Sequence, residues 1–320
     1  MSRGTPVFAA FVMAALVFVP VAGLAAGEDE QAYVIVAVGD IAQEQLPRNN
    51  PNRNQYDDVA DLIYDMGADR FLMLGDGQHN EGTLENYMKF YDPYFSKVRD
   101  ITCPTVGNHD YYSSDTAEGY FAYFGELAHG PNGYYSFDIG PWHVIALNSQ
   151  ISRWYDHTVP GTPAYDQHQW LLADLAVHPE DQHAGIIAYM HHPTYDWEVY
   201  DGASWFYSYE IEPQLHLWQT LFDHGVDMVL SGHNHNYQRW VPQDAAGNYN
   251  PDGVMQFVVG TGGSYISSFP TNDKPVNLVT NFESDFGALR LTLHEDCYDF
   301  EFITLGGEIL DSGYGIECLK

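Results

Sequence analysis

Short apolar runs without polar interruption alternate along this chain with amphipathic stretches of helical period. Tyr33-Val34-Ile35-Val36-Ala37-Val38 is such a run, the pattern of a strand buried on both faces, and it ends at Gly39-Asp40. Phe71-Leu72-Met73-Leu74 repeats the pattern ahead of Gly75-Asp76, and the short run Thr105-Val106 precedes Gly107-Asn108-His109-Asp110. Further along, Ile186 to Met190 leads into His191, and Asp227 to Leu230 leads into Ser231-Gly232-His233-Asn234-His235. Helices are predicted between these runs from about Asp57 to Met66, with Gly67 as C-terminal cap, and over Thr83 to Val98, Asp166 to Val177 and Pro213 to His224. A hairpin of Tyr134–Ile139 and His143–Asn148 turns at Gly140-Pro141, and the tail carries strands near Met255–Gly260, Ala288–Leu293 and Tyr298–Thr304. Strands alternating with helices, followed by a strand-rich end, predict an α/β fold with an α+β tail: two sheets with helices outside them.

The N-terminus changes this picture only by subtraction. An apolar run from Val7 to Val21 follows Arg3 and leads to Ala22-Gly23-Leu24-Ala25-Ala26 before the acidic Glu28-Asp29-Glu30. That order predicts a secretory signal peptide over residues 1–26, a single domain over residues 27–320, and a periplasmic or extracellular location. The run is shorter than the roughly 20 residues a spanning helix needs, so no stable membrane anchor is expected after cleavage.

Charge narrows the function classes. The formal net charge is -32, so an anionic substrate meets long-range repulsion and must be attracted locally. No basic patch exists for nucleic acid to bind. Of three cysteines, Cys297 and Cys318 flank the last strands and are expected to bridge in an oxidising compartment, leaving Cys103; three thiols in a reducing one is the alternative.

The chemistry lies in the residues that close the apolar runs. Asp40, Asp76, Asn108, His191, His233 and His235 each follow a predicted strand beside small residues, which places them along one edge of the sheets. Two metal ions about 3.5 to 4 Å apart need a shared carboxylate together with separate oxygen and imidazole ligands. Asp76 suits the bridge, Asp40 and His235 one ion, and Asn108, His191 and His233 the other. Such a pair attracts phosphate and activates water as a hydroxide nucleophile near neutral pH. His109, beside a ligand but not needed as one, is placed to protonate a departing alkoxide, with Asp110 to orient it. His192, adjacent to His191, is expected in a supporting role.

At these residues the chain resembles the calcineurin-like metallophosphoesterases and, within them, the purple acid phosphatase branch and its exported bacterial relatives. The resemblance runs from about Tyr33 to the end, including Gly232 to Arg239 and Gly260-Thr261-Gly262-Gly263. It implies a four-layer sandwich of two mixed β-sheets flanked by helices, and two divalent or trivalent ions drawn from iron, zinc and manganese. Ala42, two residues after Asp40, follows the purple acid phosphatase pattern rather than the metal-binding histidine of commoner branches. His79 stands where that branch has a coloured iron-binding tyrosine, so no tyrosinate band is expected, and His79 becomes a candidate ligand of the first ion, favouring a divalent metal. Gln238 replaces the family's glutamate before Arg239, which removes that partner for the arginine.

Hydrolysis of small phosphate esters is therefore expected, most simply monoesters. The alternatives are a phosphodiesterase or nucleotidase on the same site, and a non-catalytic exported protein that binds metal or phosphate. The aromatics Tyr195, Trp197, Tyr200, Trp205, Phe206, Tyr207 and Tyr209 are read as packing rather than a stacking wall, Arg48 and Arg53 as exposed loop residues, and His157, His168, His178 and His183 as having no special role.

Overall fold

In a computed structural model of the chain, which describes residues 31–44, 54–197, 199–200, 203–204, 212–271 and 273–318, the run Tyr33–Val38 forms strand β1. It lies between β2 (Arg70–Leu74), which it pairs in parallel, and the antiparallel β13 named below. The other strands are β3 (Thr102–Thr105), β4 (Tyr135–Ile139), β5 (Trp142–Ala146), β6 (Gly185–Tyr189), β7 (Val199–Tyr200), β8 (Ala203–Ser204), β9 (Met228–Ser231), β10 (Tyr237–Gln243), β11 (Val254–Val259), β12 (Leu278–Phe282), β13 (Gly287–Leu293), β14 (Cys297–Thr304) and β15 (Ile309–Glu317). One sheet has the order β15-β14-β13-β1-β2-β3, the other β12-β10-β11-β9-β6-β5-β4, and β7 and β8 form a separate ribbon. Both large sheets are mixed: β1-β2-β3 and β5-β6-β9-β11 are parallel, and the tail strands and the β4-β5 hairpin are antiparallel. Two mixed sheets flanked by helices are the sandwich expected from the sequence.

Period-two alternation sorts the core into layers. From the second sheet, Val144, Ala146, Ile187, Tyr189, Met228 and Leu230 join Ile35, Ala37, Phe71 and Leu289 of the first in one buried cluster. Their neighbours Ile145, Ile186, Ala188 and Val229 point the other way and meet Leu171 and Leu175 of the helix Pro163–Val177 and Leu217 and Leu221 of the helix Glu212–Asp223. Because every second side chain is committed to one layer or the other, a one-residue slip would exchange the two.

Local chemistry explains where helices begin and end. Thr162 Oγ1 accepts from Tyr165 N and Pro163 occupies the first turn, so the third helix starts three residues earlier than its apolar period predicts. The helix Tyr56–Asp65 ends as expected at Gly67, whose φ is 63°. The single helix expected over Thr83–Val98 is instead broken into Leu84–Asn86, a wide turn Tyr87–Tyr91, Asp92–Phe95 and a tight turn Ser96–Ile101. Pro93 is the physical reason, since it has no N–H to donate to residue 89 and its ring displaces that carbonyl.

The ladder of β14 and β15 sets Cys297 opposite Glu317, next to Cys318, and Cys318 N donates to Asp296 O. No disulfide joins the two in the structure, so the expected staple is not made. Arg239 finds a partner despite Gln238: its Nε and Nη2 reach the two oxygens of Asp311 at 2.7 and 3.0 Å. Gln238 turns its Oε1 to Trp197 N instead. The leader, Arg48, Arg53 and Trp205 to Tyr209 lie outside the described residues. Among the described residues, no helix is long and apolar enough to cross a membrane.

Candidate metal centre

Every candidate ligand sits just beyond a strand of one of the two sheets, at the edge where β1, β2, β3, β6 and β9 end. Asp40 and Asp76 follow β1 and β2 with left-handed backbone, φ 61° and 48°, and His233 beyond β9 has φ 69°. Such conformations are costly for residues with a Cβ, and here they turn three side chains toward one point. The glycines beside them are steric requirements: a Cβ on Gly75 would lie 2.4 Å from His191 Nδ1, and one on Gly107 would lie 2.1 Å from Asp76 Oδ1.

Hydrogen bonds divide each aspartate into a held and an unheld oxygen. Asp40 Oδ2 accepts from His233 N at 2.7 Å, and Asp76 Oδ1 accepts from His109 N at 2.9 Å. Asp40 Oδ1 and Asp76 Oδ2 are buried with no hydrogen-bond donor. They face imidazoles instead: His235 Nε2 lies 3.3 Å from Asp40 Oδ1, and His191 Nε2 3.2 Å from Asp76 Oδ2. Two buried carboxylate oxygens without donors but ringed by imidazole nitrogens are groups that could hold metal ions. Asp40, His79 and His235 are within mutual ligating distance, as are Asp40, Asp76 and His191. Asn108 Oδ1, 3.0 Å from His191 Nε2, completes the second group with His233.

The electrostatics favour ionised carboxylates and a neutral His79 where cations would bind. Burial alone would raise Asp40 and Asp76, but His235 and His191 around Asp40, and His191, His109 and His79 around Asp76, hold both below the ordinary carboxylate range. Burial and then the charge of His235 push His79 down to about 3, leaving it neutral with a lone pair to donate. His191 moves the other way, to about 9, because Asp76 and Asp40 outweigh its burial. Leu74 O lies 2.8 Å from its Nδ1, which fixes the tautomer that presents Nε2 to the site.

The structure reassigns two neighbours. Asp110 does not reach the His109 ring; it accepts from Gly107 N at 2.8 Å and Tyr87 OH at 2.6 Å, and burial and the Asp76 charge raise it to about 7. Its place is to hold the loop that presents Asn108 and His109, whose own Nδ1 faces Asn80 O at 3.4 Å. His192, expected in a supporting role, is buried with Nδ1 2.8 Å from Ser149 Oγ and Nε2 without a hydrogen bond, and it lies beside His191 and His233.

Asp76, His79, Asn108, His233 and His235 line a cavity of about 330 Å³ together with His109, Tyr112, Gln150, Arg153 and Tyr265, while Asp40 and His191 are buried behind it. Of these, Tyr112, Gln150, Arg153 and Tyr265 were not singled out from sequence. The available signal was topological: β5 runs parallel to β6, so the helix Ser149–Trp154 after β5 starts at the edge where His191 sits. Tyr195 and Trp197, by contrast, are core residues; Tyr195 packs edge-on to Trp218 at 5.1 Å.

A two-sheet sandwich with Asp, Asn and His side chains clustered at its strand ends is an arrangement suited to a metallohydrolase. The calcineurin-like phosphoesterase family model matches residues 33–237 of this chain, from β1 past His235, and the chain belongs to that family. It is similar to purple acid phosphatase 21 of Arabidopsis thaliana, 29% identical over 255 residues that cover 73% of this chain and 53% of that protein. The chain spans about half the length or less of the first curated relatives it matches. Among solved structures it resembles purple acid phosphatase PPD1 from yellow lupin, with TM-score 0.66 and 20% identity over 89% of this chain and 53% of that one. GAP50, described as the anchor in the inner membrane complex of Plasmodium, has TM-score 0.65 and 15% identity over 90% of both chains. An anchor sharing the fold shows that the fold alone does not settle function, which has to be argued from the site.

Proposed function

We propose that this protein is an exported metal-dependent phosphoesterase acting on small phosphomonoesters. One observation carries the reading: the unheld oxygens of Asp40 and Asp76 face imidazoles, and Asp76, His79, His233 and His235 line a cavity shared with His109 and Arg153. Asp40, His79 and His235 would hold one ion, Asn108, His191 and His233 the other, and Asp76 both. Bound there, the ions supply Lewis-acid polarisation of the phosphoryl group and a nucleophile from water at near-neutral pH, with zinc, manganese or iron suited to the nitrogen and oxygen donors.

The chain's own side chains do the rest. Arg153 brings a guanidinium to a pocket in a strongly acidic protein, where it pairs with phosphate oxygens and makes up locally for the repulsive field. His109, 19% exposed at the cavity, donates a proton to the leaving oxygen as the P–O bond breaks and water oxygen bonds to phosphorus, giving alcohol and inorganic phosphate. Tyr112 OH accepts from Asn108 Nδ2 at 3.2 Å, which aims the amide oxygen inward. A cavity of about 330 Å³ has room for a small phosphate ester. The signal-like leader supports export.

The test compares hydrolysis of an aryl phosphate and its bis-aryl diester by the mature protein before and after chelation. Chelator-sensitive turnover with the monoester preferred is expected. Preference for the diester would move the assignment to a phosphodiesterase, and metal-loaded protein inert on every ester would make it a binding protein.

A further inference from the structure

A second group of imidazoles lies at the opposite end of the β5-β6 pair from the catalytic edge. His143 stands near the start of β5, His178 caps the helix Pro163–Val177, and His183 precedes β6. The sequence suggested no role for His178 or His183. We infer that His143, His178 and His183 form a third metal site, for a divalent cation of the zinc class.

The distances carry the inference. One ring nitrogen from each histidine lies within 4.8 Å of the other two. His178 Nδ1 and His183 Nε2 are 3.3 Å apart. Zinc–nitrogen bonds of about 2.0 to 2.1 Å in a tetrahedron put two ligand nitrogens about 3.3 Å from each other, longer than an ordinary N–H hydrogen bond. The rings of His143 and His178 stack at 4.0 Å with planes inclined by 10°, so coordination of one ion by both requires one ring to rotate toward the other's plane.

The surroundings supply what an imidazole site needs. Asp138 Oδ1 lies 2.7 Å from His143 Nδ1, a carboxylate–histidine arrangement that orients the ring. Asp174 Oδ2, 3.0 Å from His143 Nε2, brings negative charge beside the three nitrogens, and its other oxygen accepts from Ser136 Oγ at 2.7 Å. His143 is buried and the other two are half-buried, so the point they surround is reachable from solvent. Cation binding replaces any proton held between His143 and Asp174 and releases it. The ion would tie the β4-β5 hairpin, a helix end and the entry to β6 together, well away from the cavity that holds His109.

Zinc serves as the probe. The mature protein and a His178→Ala/His183→Ala variant are stripped, resaturated with zinc, desalted and analysed for zinc per chain, with aryl phosphate hydrolysis measured in parallel. The variant is expected to hold one zinc fewer and to keep its rate within about twofold. Equal zinc content overturns the inference, and so does a loss of zinc accompanied by loss of hydrolysis, which would assign the missing ion to the catalytic centre. Should the double variant fail to fold, His183→Gln on its surface turn gives the same reading: one zinc fewer supports the site, an unchanged content overturns it. Neither result depends on which ester the enzyme prefers.

Discussion

His79 lies flat against His109, with ring centroids 3.7 Å apart and planes inclined by 27°. A candidate ligand of the first ion thus buttresses the candidate proton donor. His79 also meets His235 edge-on at 4.5 Å and approaches Asp76 Oδ2 to 4.0 Å, which is where a first-ion ligand belongs. Iron-loaded protein should show no tyrosinate charge-transfer band. A His79→Tyr variant loaded with ferric iron should gain one in the visible range, and a colourless, iron-containing variant would show that position 79 does not ligate.

Proton donation by His109 matters only where the leaving alkoxide is a strong base. His109→Ala should lose about 10²-fold or more of kcat on an alkyl phosphate and much less on a nitrophenyl ester. Equal losses on the two substrates would leave His109 as a phosphate-binding residue.

Among the described residues that line the cavity, Arg153 carries a fixed positive charge. Replacing it with methionine keeps much of its apolar stem and removes charge-assisted hydrogen bonds of about 1.5 to 3 kcal/mol, so KM for a dianionic monoester should rise about 10- to 100-fold. The metal content should stay constant. An unchanged KM would place the guanidinium outside the substrate's reach.

Two arginine pairs, one between the two sheets and one across neighbouring strands, should differ sharply in worth. Arg239 and Asp311 are 18% and 8% exposed, with two contacts at 2.7 and 3.0 Å and a further hydrogen bond to Asp311 from Tyr237 OH at 2.9 Å. Arg290 and Glu301 meet once at 3.7 Å, with the arginine 34% exposed. Asp311→Ala leaves a largely buried guanidinium and should cost about 3 kcal/mol in denaturant unfolding; Glu301→Ala should cost about 1 kcal/mol or less. Equal costs would mean that burial does not govern these pairs.

Strands such as Tyr33–Val38 and Phe71–Leu74 were legible because parallel strands covered on both sides must be apolar throughout, and the ligands were legible because only small neighbours let those backbones approach. β10, β12 and β15 were not. Gln238, Arg239 and Pro242 interrupt β10, whose pairing shifts register between Trp240 and Gln243, and β15 is an edge strand with Gly313 and Gly315. Arg153 and the His143 cluster escaped notice for a different reason. Their partners are distant in sequence, and only the parallel pairing of β5 with β6 brings the helix after one strand and the turn before the other to the two ends of the same sheet.

The central claim is that Asp76 serves two ions at once. Elemental analysis of the mature protein and its Asp76→Asn variant, both confirmed as folded by their melting transitions and both assayed on an aryl phosphate, tests it directly. The variant should hold two metal ions per chain fewer than the parent and lose turnover. A deficit of one ion would contradict the bridging role, and no deficit would contradict the metal centre itself.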